Sequence, residues 1–270
     1  MEIYQKKMKE RSFSSVVLWA VLLFFVYAFN TWAVPLLVSL GALFAQIEFS
    51  RLMQKMGLNV MFKFNVILAV IFPWLILFSP SVVLIYLLTF ISICCISFGL
   101  NKRALLSTLL AFWYIPFNLH FFVLILKKFI TIGNPLTLII WVVLVTKMTD
   151  VGGLIIGCKF GKHPLLPSIS PKKTWEGVAG GAVFALFSGF ILTAIVPHHL
   201  PQNFHGFYQF ICIFCLVVGA IFSDLLESLF KRRAHEKDSG RFIPGIGGAL
   251  DLVDSLLLNA PLAYCLFSFL

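Results

Sequence analysis

The stretch KDSGRFIPGIGGALDLVDSLLLNAPLAYCLFSFL, residues 237–270, decides the fold class. From residue 249 onward it is apolar without alternation, so it reads as a membrane-spanning helix; a barrel strand would alternate polar and apolar residues over a short segment. Yet Asp251 and Asp254 stand at its threshold, directly after a glycine-rich turn and a cluster of basic residues. Carboxylates are costly there, because ionisable groups in spans are paired, metal-bound or functional. Spaced i, i+3, the two project from one side of a helix.

Outward from this stretch the same pattern recurs. Hydrophobic residues make up 60% of the 270 positions and charged residues 12%, too little charge to cover a soluble core. The fold class is therefore all-α, a polytopic integral membrane protein of about nine transmembrane helices, with candidate spans at 13–29, 31–48, 64–78, 81–98, 104–126, 135–157, 177–197, 207–230 and 249–270. Pro80, Gly133-Asn134-Pro135, and Pro197 with Pro201 separate neighbouring runs. The basic-then-apolar N-terminus lacks a convincing small-residue cleavage site and reads as a retained signal-anchor helix. No repeat or soluble domain interrupts the chain, which reads as a single membrane domain, 1–270, with scaffold helices in 1–130 and the active site in 131–270.

Basic residues set the orientation. With the N-terminus cytoplasmic, only Lys127 and Lys128 of the 21 lysines and arginines face outward, Lys147 lies inside a span, and the rest fall on the inner side. That is the positive-inside bias. The net charge of +10 is thus topology plus attraction to anionic lipid heads, and gives no reason to invoke nucleic acid. Segments 158–176 and 231–248 are both expected to be cytoplasmic.

The six cysteines form no framework: the Cys212/Cys215 pair lacks a second ligand pair at zinc spacing, and all six read as small hydrophobes between helices. The histidines are scattered and assemble no Ser/His/Asp arrangement.

Eight of the eleven acids lie between residues 150 and 254: Asp150, Glu176, Asp224, Glu227, Glu236, Asp238, Asp251 and Asp254. On this topology all eight collect near the cytoplasmic boundary. Asp224 and Glu227 repeat the i, i+3 spacing on the preceding span. Oxygen-only clusters of this kind suit hard cations such as Mg²⁺, which takes further ligands from water and substrate phosphates. The basic residues of KRRAHEKDSGR can hold phosphate charge, and the glycines of IPGIGG allow backbone N–H groups to approach an anion. Plainer readings exist for each. Asp251 is also a first-turn acid favoured by the helix dipole; Glu227 with Lys231 is a favourable i, i+4 pair; and Lys147 with Asp150 can neutralise one another. GIGG is not a dinucleotide fingerprint, since its third glycine would fall on Leu250, and no Walker A sequence is present.

A second polar stretch, SISPKKTWEGVAGG (168–181), opens the seventh span. Ser170-Pro171 reads as N-cap and first residue of a helix, with Lys172, Lys173 and Thr174 as anion donors or, more plainly, as a capped and charged loop end.

SPKKTWEGVAGG together with S-x-x-KR-x₄-KDSG-x₃-PG-x-GG-x₂-D-x₂-D, Ser228 to Asp254, resembles the phosphatidate cytidylyltransferases, or CDP-diacylglycerol synthases. GAIFSDLLES and the TDVGG stretch around Asp150 extend the likeness over about residues 147 to 257. The chain departs from the family pattern at Ile246, Leu252 and Gly153, where the family usually has His, Arg and an aromatic residue.

The resemblance implies an integral membrane enzyme that converts phosphatidate and CTP to CDP-diacylglycerol and pyrophosphate with Mg²⁺. It also implies a homodimer, nine spans and a polar cavity open to the cytoplasm; if bacterial, the location is the inner membrane. A phosphate monoester is largely dianionic near neutral pH. It can attack the α-phosphorus without a dedicated base, so the reaction needs charge neutralisation and in-line positioning. Carried onto this sequence, Asp224, Asp251 and Asp254 form the metal centre, with room for a second cation. Lys231, Arg232, Lys237, Lys172 and Lys173 neutralise phosphates. Ser170, Thr174, Ser223, Gly247 and Gly248 supply donors or close backbone approach, and Asp150 and Asp238 orient basic groups or ligate metal. Lys231 and Lys237 are the catalytic cations of this scheme. Two other activities fit parts of the pattern: a CTP-dependent lipid-alcohol kinase, which releases CDP, and a cation-coupled transporter, which expects acids across the whole bilayer depth.

Overall fold

The computed structural model describes residues 2–96, 102–130, 134–201, 204–240 and 247–270, with side chains from residue 16 onward apart from that of Ile96. The far end of the expected 81–98 span, Gly133, Arg241, Pro244, Gly245 and Ile246 lie outside the described residues, as do the side chains of Lys6, Lys7, Lys9 and Arg11.

Among the described residues the helices are α1 (Glu2–Phe29), α2 (Ala33–Lys55), α3 (Phe62–Phe78), α4 (Val82–Ile96), α5 (Lys102–Phe112), α6 (Phe121–Phe129), α7 (Pro135–Phe160), α8 (Trp175–Ile195), α9 (Gly206–Arg233) and α10 (Ala249–Phe267). Six helical runs among the described residues are long and apolar enough to cross a bilayer: Val16–Lys55, Lys102–Phe129, Pro135–Phe160, Trp175–Ile195, Gly206–Arg233 and Ala249–Phe267, with α3 and the Val82–Cys95 helix as shorter apolar segments. The protein is an all-α membrane protein in its main architecture. Val16–Lys55 counts 40 residues. At about 1.5 Å per residue, that run is roughly twice the ~30 Å hydrocarbon thickness. Its joint is the 3₁₀ turn Asn30–Trp32, where Asn30 adopts a left-handed φ of 48°; the sequence divides its first two spans at the same place. Lys102–Phe129 continues from α5 to α6 through a π-helical turn at Trp113–Phe117, which contains Pro116.

One departure from the helical class carries functional residues. Pro164–Leu166 (β1) and Ser170–Thr174 (β2) pair antiparallel, Pro164 opposite Thr174 and Leu166 opposite Ser170. Ser170-Pro171 is therefore not the start of a helix. The first turn begins at Trp175, because Thr174 is extended and its hydroxyl accepts from Gly177 N at 3.1 Å, satisfying an otherwise orphan donor. Hairpin pairing with Pro164–Leu166 across a three-residue turn overrides the Ser-Pro signal.

The packing resolves into two units, residues 1–123 with 233–253, and residues 124–232 with 254–270. In the first, Phe49 and Tyr114 pack with ring centroids 4.8 Å apart, and Phe72 meets Phe112 edge-on at 5.1 Å. Buried His120 satisfies one ring nitrogen with the Tyr86 hydroxyl at 2.6 Å. In the second, Trp141 is fully buried against Phe204 and donates to Gly189 O at 3.1 Å.

The main seam of the second unit joins α7 and α8, and glycines make it. A Cβ at Gly152 would stand 2.7 Å from Gly180 O, and one at Gly181 would stand 2.7 Å from Thr149 O. Small residues let two membrane helices touch backbone to backbone, where dispersion rather than the hydrophobic effect drives association. The glycines of TDVGG and EGVAGG thus place Asp150 and β2 with respect to one another. Gly153 is different, since a Cβ there meets Gly177 O at an ordinary 3.5 Å. Gly181→Ala is expected to cost about 1–3 kcal/mol of stability by overpacking, seen as a lower unfolding midpoint in detergent, while Gly153→Ala keeps the wild-type midpoint. Equal effects of the two would contradict the seam.

Candidate active site

Three helices of the second unit bring acids together. α9 presents Asp224, Glu227 and Lys231 at i, i+3 and i, i+4 spacings, α10 presents Asp254 and Ser255, and α7 presents Lys147 and Asp150. One carboxylate oxygen from each of Asp224, Glu227 and Asp254 lies within 4.8 Å of the others. Glu227 and Asp254 are buried, whereas Asp224 is partly exposed.

Ammonium groups meet this charge. Lys173 Nζ, brought in on β2, is 2.5 Å from Asp224 Oδ2. Lys231 Nζ is 2.5 Å from Glu227 Oε2, whose side chain is 0% exposed. Lys147 Nζ stands 3.3 Å from Asp150 Oδ2 and 3.9 Å from Asp254 Oδ1. It also donates to Ser255 Oγ at 2.8 Å, and that hydroxyl donates to Asp150 Oδ2 at 2.9 Å. Four carboxyl groups, of Asp150, Asp224, Glu227 and Asp254, thus meet three ammonium groups, of Lys147, Lys173 and Lys231. In a low-dielectric setting each pairing offsets a desolvation cost of several kcal/mol per ion.

Neutral groups lock the helices at this level. The Ser223 hydroxyl donates to the Asp254 carbonyl oxygen. Asn259 Nδ2 donates to Thr146 Oγ1 at 2.8 Å and to Leu216 O at 3.0 Å, tying α10 to α7 and α9. Ser255 N donates to Asp254 Oδ1 at 2.5 Å, which fixes that carboxylate.

The donor set suits a hard divalent cation. All three convergent ligand atoms are carboxylate oxygens, with no thiolate or imidazole among them. Mg²⁺ characteristically binds one or two carboxylates and retains sites for water and phosphate. Asp224, Glu227 and Asp254 would hold it.

In the first unit, Asp251 makes a different set of contacts. Its Oδ2 accepts from Gly248 N at 2.7 Å, Ser239 Oγ at 2.8 Å and Ser239 N at 3.2 Å. Gly247 next to it has φ 124°, a conformation open to glycine and strained for any other residue. Glu48 of α2, only 7% exposed, accepts from Leu250 N at 2.8 Å and from Ser239 Oγ at 2.9 Å. A cavity of about 450 Å³ is lined by Arg51 and Lys55 of α2 and by Glu236 to Gly240; Lys55 and Glu236 form an ion pair across it.

The sequence-predicted residues therefore divide. Asp150, Lys173, Ser223, Asp224, Lys231 and Asp254 converge within the second unit, while Lys237, Asp238, Gly247, Gly248 and Asp251 belong to the first. Lys172, Arg232, Lys237 and Asp238 have exposed side chains, and Ser170 is half-buried on β2. Thr174 is occupied as a helix cap and Ser223 as an α9–α10 fastener. Glu227 lies with Asp224 and Asp254, and its pairing with Lys231 is present as well. Sequence reasoning passed over Glu48, Ser239 and Ser255. The signal for Glu48 was available, since it is an acid at the end of an apolar run.

A family model described as the cytidylyltransferase family matches residues 9–270. The chain belongs to that family. It is 39% identical over 130 residues to a phosphatidate cytidylyltransferase of Haemophilus influenzae, covering 47% of this chain and 44% of the relative. A Bacillus subtilis protein of the same name is 38% identical over 159 residues, 59% of this chain and 56% of the relative. A third, from Chlamydia pneumoniae, is 33% identical over 165 residues, 58% of this chain and 52% of the relative. The chain spans about half the length of the curated relatives it matches.

In this member of the cytidylyltransferase family the Lys231–Glu227 pair is the most deeply desolvated ion pair of the centre. Lys231→Met leaves a buried carboxylate without its cation and is expected to destabilise the protein by about 3–5 kcal/mol, read by unfolding in detergent. Millimolar Mg²⁺ should restore more stability to that variant than it adds to wild type, because the ion takes over the missing positive charge. A wild-type midpoint for Lys231→Met would contradict the pairing.

Proposed function

We propose that the chain transfers the cytidylyl group of CTP to phosphatidate, giving CDP-diacylglycerol and pyrophosphate. The observation that carries this reading is the lysine-paired triad Asp224, Glu227 and Asp254 in a chain of the cytidylyltransferase family. A nonbridging oxygen of the lipid phosphate forms a bond to the α-phosphorus of CTP as the bond from that phosphorus to the β-phosphate bridging oxygen breaks. The electron pair leaves with pyrophosphate. No proton transfer and no covalent enzyme intermediate are required, because the attacking monoester is largely dianionic near pH 7.

What the protein must supply is positioning and charge neutralisation, since two anions have to meet. Asp224, Glu227 and Asp254 would hold a divalent cation, which would supply positive charge for the phosphates. Lys173 and Lys231, paired with Asp224 and Glu227, are the ammonium groups placed to meet substrate phosphate. Lys147 pairs with Asp150 and Asp254 and holds both in place. For Lys172, Arg232, Lys237 and Asp238, with exposed side chains, we infer contacts to substrate phosphate or sugar; Ser170 is a further donor. Asp251, held by the N–H groups of Ser239 and Gly248, orders the turn that precedes α10.

The same reading includes nine spans, obtained when Val16–Lys55 crosses twice and the two shorter apolar helices also cross. It includes a cytoplasmic N-terminus, one membrane domain over the whole chain, a polar cavity facing the cytoplasm, and a homodimer in a bacterial inner membrane. Diacyl tails stay in lipid while the head group reaches the acids near the inner boundary.

Purified protein given phosphatidate, CTP and Mg²⁺ is expected to form CDP-diacylglycerol and pyrophosphate in equal amounts. Asp224→Asn and Asp254→Asn should each reduce turnover by about 10² or more, the scale of a lost charge-stabilising group. Lys128→Met, beside Tyr264, should stay within about twofold, as for a substitution away from any functional feature. Release of CDP in place of pyrophosphate would identify a kinase instead.

A further inference from the structure

Glu48 lies 191 residues before Ser239 and 202 before Leu250, yet it is buried and bonded to both. Its Oε2 accepts from Leu250 N at 2.8 Å and from Ser239 Oγ at 2.9 Å. Ser239 Oγ is also 2.8 Å from Asp251 Oδ2. A serine hydroxyl has one proton and can donate to only one carboxylate at a time. Asp251 already accepts the N–H groups of Ser239 and Gly248, which leaves the hydroxyl proton available to Glu48.

The two motif glycines fit the same carboxylate. A Cβ at Gly240 would collide with Glu48 Oε1, and a Cβ at Gly248 would collide with Glu48 Oε2 and Ser239 Oγ. The glycine of KDSG and the last glycine of PGIGG are thus small because a carboxylate from α2 fills the space beside them. Glu48 occupies an anion's place at the start of α10, taking the orphan Leu250 N–H that a helix N-terminus leaves unpaired.

We propose that Glu48 is a positioning residue for the reaction. It pins Ser239–Gly240 and Gly248–Leu250 together and so fixes the first turn of α10, in which Asp251 is followed three residues later by Asp254. It touches no substrate; it acts through Ser239, Leu250 and the roll of α10. This rests on the cytidylyl-transfer reading for its kinetic consequence, though not for the anchoring itself.

The test pairs kinetics with amide hydrogen exchange on the full-length protein in detergent. Glu48→Ala should speed exchange of the Leu250 amide about tenfold or more. It should also lower kcat about tenfold or more, with KM for CTP and phosphatidate within about threefold, as expected when reacting groups are displaced while substrate binding is kept. Glu48→Gln retains a carbonyl acceptor for Leu250 N and an amide that can donate to Ser239 Oγ. It should recover most of both effects, and it serves as the reporting variant if Glu48→Ala does not fold, with kcat then within about threefold of wild type and Leu250 exchange near the wild-type rate. Ser239→Ala should cost little further in the Glu48→Ala background, because residues acting through one contact are not additive. Wild-type kcat in Glu48→Ala, a change confined to KM, or full additivity with Ser239→Ala would overturn the proposal, as would Glu48→Gln with unchanged folding but kcat reduced about tenfold or more. If wild-type protein makes no CDP-diacylglycerol while Leu250 exchange still depends on Glu48, the functional reading fails and the anchor stands. Unchanged Leu250 exchange in Glu48→Ala removes the anchor, whatever the activity.

Discussion

Four carboxylates on helices built to cross a membrane must have their charge met, and the arrangement of the second unit follows from how it is met. Asp150, Asp224, Glu227 and Asp254 lie opposite Lys147, Lys173 and Lys231. Pairing of this kind seldom adds net stability over an apolar core, because the attraction only offsets desolvation. Its presence therefore calls for a use. Three lysines for four acids leave the centre short of positive charge, a state that favours a divalent cation.

Two features keep that balance in register. The glycine seam of α7 and α8 allows their backbones to touch, so that the β1–β2 hairpin between them is held close. Thr174 links the parts: it ends β2, caps α8 through Gly177 N, and packs where a Cβ at Gly157 would lie 3.4 Å from its hydroxyl. Lys173, the preceding residue, reaches Asp224 from this fixed point. On the other side, Ser223 and Asn259 fasten α10 to its neighbours with buried hydrogen bonds, which are expensive to leave unmade in lipid.

Much of this was legible in the sequence because a membrane forces a strong local signal. Continuous apolar runs gave α7 to α10 to within about three residues, and even the turn at Asn30 fell between two expected spans. The acids were legible for the same reason, as charges out of place. Contacts that depend on distant partners were not. SPKKT reads as a helix start from its Ser-Pro pair and becomes a strand because Pro164–Leu166 lies beside it. The D-x-x-D spacing of Asp251 and Asp254 suggests one shared task. Yet Asp251 is held by Ser239 and Gly248, and it is Glu227 that joins Asp254 and Asp224. The glycines of the signature read as room for a ligand anion, whereas Gly248 is narrow for Glu48, a residue no local window contains.

That the convergent acids of α9 and α10 hold a hard cation is tested most directly by calorimetric titration of the substrate-free protein with Mn²⁺, competed by Mg²⁺. Asp254→Asn and Glu227→Gln are titrated alongside. Wild type is expected to show a saturable site that Mg²⁺ displaces and that both variants lose or weaken by about tenfold or more, the scale of one charged ligand. Equal binding in wild type and both variants would contradict it, and would leave the triad as a purely structural ion-pair network.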